Sequence, residues 1–259
     1  MISDRLGALL AQHAYLYGII CRDATLIDIE LMAQTGYHVV WLDREHSAQP
    51  TAEMLRLCRT VEHLGMVPMM RVSELARTPI QTALDGGIRL LALPNVGSAE
   101  EAARLVQFGK YPPTGQRGVS TTNAGAGYTL GNDLRATLAA VNAATHLMVM
   151  IESETGYRHL DAILAVEGID MLTIGPLDWA TSLGVYGEEA RSCLLPKIER
   201  VLTTAARAGV TTAMFAADAE LGKRYRDWGV RIFFLDEDVV MKRKSLETAI
   251  GMYREAMEG

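Results

Sequence analysis

The sequence predicts an α/β protein of the (β/α)8 TIM-barrel class, one domain spanning residues 1–259, and three observations carry that reading. Eight short apolar runs alternate with segments of helical spacing along the whole chain. Glycine stands at many of the joints, where its missing Cβ suits the left-handed end of a helix. No GxGxxG follows an early strand, which removes the phosphate loop expected of a doubly wound open sheet.

Taken in order, residues 2–12 read as a short amphipathic helix and 15–21 as the first strand. A helix at 25–34 stops at Gly36, and a strand at 38–43 leads to a helix at 51–64 stopped by Gly65. Strands at 67–72 and 89–93 are followed by helices at 79–84 and 99–108. Beyond a helix at 133–144 come strand 147–151 with helix 157–166, then strand 171–174 with a long helix near 189–208. Strand 211–215 with helix 218–227 and strand 231–235 with helix 239–257 complete the series. The stretch 110–132, rich in Gly, Pro, Thr and Asn, reads as a long loop or lid on the side where strands run into helices.

Composition narrows the partners. With 259 residues and 49% hydrophobic content the chain can bury a large core. A formal charge of -6, with no basic stripe among aromatics, argues against nucleic acid. No apolar run approaches the about 18 residues of a membrane span, and the N-terminus lacks the pattern of a secretory signal. Cys21, Cys58 and Cys193 are widely spaced with no CxxC pair, which argues for a reducing cytoplasm and against a zinc site.

In such a barrel the reactive groups belong just past the C-terminal ends of strands. Strand two ends in Asp43-Arg44-Glu45-His46, strand three in Arg71, strand five in Glu152 and strand six in Gly175-Pro176-Leu177-Asp178. Four strands thus bring a histidine, an arginine and paired acids to one rim, with Asp43 and Glu45 as candidate supports for Arg71. Two carboxylates from neighbouring strands repel each other unless a cation or a shared proton lies between them. With no histidine or thiolate at that pair, a hard ion such as Mg2+ or Mn2+ suits it. The only lysines, Lys110, Lys197, Lys223, Lys242 and Lys244, fall in or beside helices, so none ends a strand and a Schiff base is disfavoured. A 2-oxo acid offers such an ion two oxygens, and the enolate beside its ketone would be stabilised by the ion and Arg71. The run Asp236-Glu237-Asp238 reads as first-turn acids of the last helix, a poor place for a phosphorylated substrate.

The strings LDREH at 42–46, RTPIQTALDGG at 77–87, YPPTGQRG at 111–118, IESETG at 151–156 and GPLDWATSLG at 175–184 together resemble the HpcH/HpaI aldolase family, metal-dependent pyruvate aldolases. The resemblance implies a carbon–carbon lyase of the class II aldehyde-lyase type. It would cleave a 4-hydroxy-2-oxo acid to pyruvate and an aldehyde through a metal-stabilised pyruvate enolate. It implies that Glu152 and Asp178 hold Mg2+ or Mn2+, with Co2+ an alternative. His46 becomes the general base, acting through a metal-bound water, with Asp85 raising its basicity. Arg71 becomes the stabiliser of the enolate and of the pyruvate carboxylate. The backbone N–H groups at Leu177 and Asp178, following Gly175 and Pro176, would bind the substrate carboxylate. The resemblance also implies a homo-oligomer, a hexamer assembled from dimers that exchange their last helix, here 239–257 with apolar positions Leu246, Ile250 and Tyr253.

Family members usually carry glutamine where this chain has Met150, which cannot donate the amide hydrogen bond to substrate. Leu177, Trp179 and Ala180 are expected to make the strand-six rim bulkier and more apolar. The expectation is an intact metal pair and base beneath a rebuilt substrate pocket. Oxaloacetate decarboxylation, acyl-CoA cleavage at the same site, and a non-catalytic binding protein on this scaffold are the other readings.

Overall fold

Successive side chains of a strand point to opposite faces, so each apolar run must fill two cores at once. The computed structural model describes residues 2–130 and 133–258. Its strands are β1 (Leu16–Cys21), β2 (Val39–Asp43), β3 (Val67–Arg71), β4 (Leu90–Leu93), β5 (His146–Ile151), β6 (Met171–Ile174), β7 (Thr211–Phe215) and β8 (Val230–Glu237). They pair in parallel and in chain order, and β8 closes onto β1. The eight-stranded barrel expected from alternation is the fold observed.

One set of alternate residues, including Leu16, Ile20, Val39, Trp41, Val67, Met69, Met148, Met150, Ile232 and Phe234, fills the barrel. The other set, including Val40, Leu42, Met70, Leu91, Val149, Leu172 and Met214, packs against the helices outside. Burying each aliphatic side chain contributes roughly 2 kcal/mol. Gly18 faces inward because Phe234 occupies its side-chain space: an added Cβ would lie 2.5 Å from the ring. That ring stands edge-on to Trp41 with centroids 4.9 Å apart. Helix α1 (Arg5–Gln12) closes the N-terminal mouth, burying Leu6 against the same interior, and Arg231 holds its end through the carbonyls of Leu10, His13 and Ala14.

Helices α2 (Leu26–Gln34), α3 (Thr51–His63), α4 (Arg77–Asp85), α5 (Ala99–Gly109) and α6 (Leu134–Ala144) follow the expected order. The stretch after α5 is not a lid over the strand-to-helix side. It follows a helix rather than a strand, and its tethers are at the opposite, N-terminal end: Gly125 N–H donates to Asp85 and Arg89 donates to the Gly125 carbonyl. The helix expected at 157–166 is divided into α7 (Glu154–Arg158) and α8 (Leu160–Leu164) at His159, whose Nδ1 lies 2.7 Å from the Gly97 carbonyl.

A helix the sequence reading left out, α9 (Pro176–Leu183), directly follows β6. Its signals are present: Pro176 at the first helical position and Gly184 in the left-handed conformation at its end. Helices α10 (Gly187–Arg207), α11 (Ala219–Asp227) and α12 (Asp238–Glu258) complete the chain. Beyond its first turns α12 leaves Leu246, Ile250, Met252, Tyr253 and Met257 exposed. Among the described residues no helix is long and apolar enough to cross a membrane.

Candidate active site

One further step along the inward alternation carries charge to the C-terminal mouth. Val39-Trp41-Asp43, Val67-Met69-Arg71 and Met148-Met150-Glu152 each run from apolar interior to polar rim, and Asp43 lies beside Arg71 in register. Arg71 is 5% exposed, with Nε 2.9 Å and Nη2 2.6 Å from the two Asp43 oxygens, Nη1 2.7 Å from Glu45, and the Trp41 ring beneath it. Burial lowers the pKa of its guanidinium, while Glu45, Glu152, Asp178 and Glu237 act to raise it. Three of its five N–H groups are engaged, leaving two for a ligand.

Asp43 is fully buried and also pairs with Arg22, which follows β1. Arg22 in turn holds Glu237 through Nε and Nη2, at 3.1 and 3.0 Å. Opposite charges thus alternate around the mouth from Glu237 through Arg22, Asp43 and Arg71 to Glu45. Removing one member would leave a buried charge uncompensated. The run 236–238 is therefore not a uniform first-turn acid set. Asp236 pairs with Lys244 at 2.6 Å, Glu237 belongs to β8, and Asp238 accepts the backbone N–H groups of Arg22 and Asp23.

Glu152 is also buried. Its Oε1 accepts the Asn95 N–H at 2.5 Å, and Asn95 has φ 49°, a left-handed conformation that Asn tolerates. Its Oε2 has no partner among the described residues and lies over Gly175, where an added Cβ would come within 2.0 Å. Burial pushes the Glu152 carboxyl up to about 7; Asp178 and Glu45 add to this, and the Asn95 N–H and Arg71 oppose it. Asp178 stands exposed in the first turn of α9, where the helix dipole favours a carboxylate.

An orphaned, buried carboxylate oxygen with a second acid acting on it is a place where a cation would be stabilised. Among the described residues no group of three or more His, Cys, Asp or Glu side chains is placed to hold a metal. The residues present would suit a hard divalent ion held by the two carboxylates, which would leave its other positions open to oxygen ligands. Gly175→Ala tests the cradle: the methyl group must displace Glu152 Oε2, so Mn2+ affinity should fall roughly 10–100-fold by calorimetry. Unchanged affinity would remove Glu152 from the ion.

The remaining expected residues fall into two groups. His46 is on the same rim, 54% exposed at its side chain, with Nε2 3.9 Å from Glu45. Met150 is 3% exposed beneath the rim, in register with Thr173. The first backbone hydrogen bond of α9 is Trp179 N–H to the Gly175 carbonyl, so the N–H groups of Leu177 and Asp178 precede it. Asp85, in contrast, ends α4 at the N-terminal face, where it pairs with Arg117 at 2.6 Å. A strand's length, about 15 Å, separates it from the His46 end, so within one chain the two do not meet. Trp179 and Ala180 are not part of a bulkier rim. Both turn into the core, and Trp179 Nε1 donates to Glu154, which leaves Leu177 as the apolar rim residue, 76% exposed.

Arg22, Asn95 and Glu237 were missed by sequence reasoning. Arg22 carried a usable signal, since it directly follows β1 just as other candidates end theirs. Asn95 acts through its backbone, which side-chain type does not report.

A sequence model of the HpcH/HpaI aldolase/citrate lyase family matches residues 22–241. The chain belongs to this family. Among its relatives, a hydroxypyruvate/pyruvate aldolase of Paraburkholderia phytofirmans is 33% identical over 227 residues, covering 85% of this chain and 86% of that protein. A 2-keto-3-deoxy-L-rhamnonate aldolase of Escherichia coli is 29% identical over 246 residues, covering 93% and 90%. The crystal structure of a HpcH/HpaI aldolase/citrate lyase family protein from Burkholderia cenocepacia superposes with a TM-score of 0.88 at 28% identity, covering 97% of this chain and all of that one. Membership in the HpcH/HpaI family supports aldolase or lyase chemistry on a 2-oxo acid as the class of activity.

Proposed function

We propose that this chain is a divalent-metal-dependent aldolase that cleaves a 4-hydroxy-2-oxo acid to pyruvate and an aldehyde. The observation that carries the reading is the orphaned Glu152 Oε2, buried over Gly175 and acted on by Asp178. Glu152 and Asp178 would hold Mg2+ or Mn2+, with Co2+ an alternative. Such an ion supplies Lewis acidity at the 2-oxo group.

The chain's own groups do the rest. Leu177 and Asp178 present N–H groups to the substrate carboxylate at the start of α9. His46 takes the proton of the 4-hydroxyl, and the C3–C4 bond then breaks, its electron pair moving into the pyruvate enolate. The two free N–H groups of Arg71 would stabilise that charge, and return of the proton from His46 to C3 completes pyruvate. Met150 keeps this part of the pocket apolar. The likeness to hydroxypyruvate/pyruvate aldolases supports pyruvate or hydroxypyruvate as the enolate partner. With Mg2+ or Mn2+ and pyruvate in D2O, the methyl protons should exchange in an NMR time course; no exchange with any divalent ion would refute the aldolase reading.

A second reading, oxaloacetate decarboxylation, is favoured by the solvent exposure of His46, because that reaction needs no base at a 4-hydroxyl. It predicts that His46→Ala keeps pyruvate release from oxaloacetate while losing cleavage of 4-hydroxy-2-oxo acids.

We further propose a homo-oligomer in which α12 crosses to a partner. Its exposed apolar residues and the groove of about 560 Å3 that its first turns form with α2 support this. The role that the family resemblance gives Asp85 then falls to a second copy, whose His46 it would orient.

A further inference from the structure

At the N-terminal end of the barrel, opposite the rim that carries Arg71 and Glu152, lies a cavity of about 410 Å3 between α1, α3 and the stretch around Tyr128. Among its charged residues arginine predominates. Arg5, Arg59, His63 and Arg89 border it, against one carboxylate, Glu62.

Arg89 is 4% exposed. Its Nε donates to Glu62 at 2.9 Å and its Nη1 to the Gly125 carbonyl at 2.9 Å. Neither bond uses Nη2, which has no protein acceptor among the described residues. Arg5 and Arg59 make no ion pair among the described residues; Arg59 only reaches the Tyr128 hydroxyl, at a long 3.5 Å. Three arginines thus line one hollow with a single carboxylate among them. Like charges gathered this way repel unless an anion sits among them. Arg is suited to bind the planar face of a carboxylate or a phosphate through paired N–H groups.

We infer that this cavity binds a small doubly charged oxyanion, as carried by a phosphate ester or a dicarboxylate, at a site separate from the catalytic rim. Arg89 forms the floor of the site, fixed in place by Glu62 and Gly125. Arg5 and Arg59 close over the anion from α1 and α3.

The test is calorimetric titration of the full-length protein with inorganic phosphate and, separately, malonate, without added divalent ion. Saturable binding of at least one of them is expected, undiminished by saturating pyruvate. The tighter of the two identifies the ligand chemistry. Because Arg5 and Arg59 are exposed on helices, Arg5→Ala/Arg59→Ala should fold, and binding should weaken about ten-fold for each arginine removed. Should the double variant melt early, Arg59→Gln alone carries the same expectation at about ten-fold. Absence of saturable binding by both anions, wild-type affinity in the arginine variants, or displacement by pyruvate would each overturn the assignment.

Discussion

Glu152→Gln should abolish divalent-ion binding and lower lyase turnover by about a thousand-fold or more, while making the metal-free protein more stable above neutral pH. The two effects share one cause. An ordinary glutamate titrates at 4.5, and burial raises Glu152 to about 7. Below pH 4.5 the carboxyl is protonated in both folded and unfolded chains, and no penalty arises. Between these values the unfolded chain releases a proton that the folded one retains, so stability falls as pH rises. Above about pH 7 the full penalty, about 3 kcal/mol, is present in the metal-free protein. Glutamine removes it and still offers an acceptor to the Asn95 N–H. A bound ion reverses the balance by replacing the proton, so Mn2+ affinity should weaken about ten-fold per pH unit below about 7. A metal-free wild-type melting temperature that is flat between pH 5 and 8, or Mn2+ affinity kept in Glu152→Gln, would contradict this account.

Why so much of this rim is legible in the sequence follows from strand geometry. Asp43, Arg71 and Glu152 each end an apolar run at the period of two that also places Trp41, Met69 and Met150 inside the barrel. The period that builds the core therefore also sets which polar residue emerges at the mouth. Asp178 follows β6 in the first turn of α9, and the Gly175-Pro176 pair marks both the strand end that the sequence reading used and the helix start that it left out. What could not be read were the contacts between distant segments. Nothing local in the sequence says that Arg22 meets Glu237, 215 positions away, or that the stretch after α5 folds against Asp85 and Arg89. Trp179 was misplaced for a related reason: its partner Glu154 belongs to α7, and that contact turns the indole inward.

Mixing two inactive variants, His46→Ala and Asp85→Ala, should restore activity. Each chain places its own Asp85 beside Arg117 at the barrel's N-terminal face and its His46 at the other, so neither variant can complete the pair alone. In a two-fold symmetric dimer the contact is reciprocal, and a mixed dimer has one intact site out of two. Random pairing after co-expression then yields about a quarter of wild-type sites. Loss of Asp85 should lower kcat and leave Mn2+ affinity at Glu152 and Asp178 unchanged, because in the proposed assembly Asp85 would act through the imidazole rather than on the ion. The double variant His46→Ala/Asp85→Ala co-expressed with wild type provides the control, since mixed dimers then contain no complete site. If the two single variants stay inactive together while forming mixed oligomers, or if Asp85→Ala alone is fully active, His46 works without Asp85 and its exposure is genuine in the assembly. The oxaloacetate reaction, which needs no such base, would then become the better account of the site.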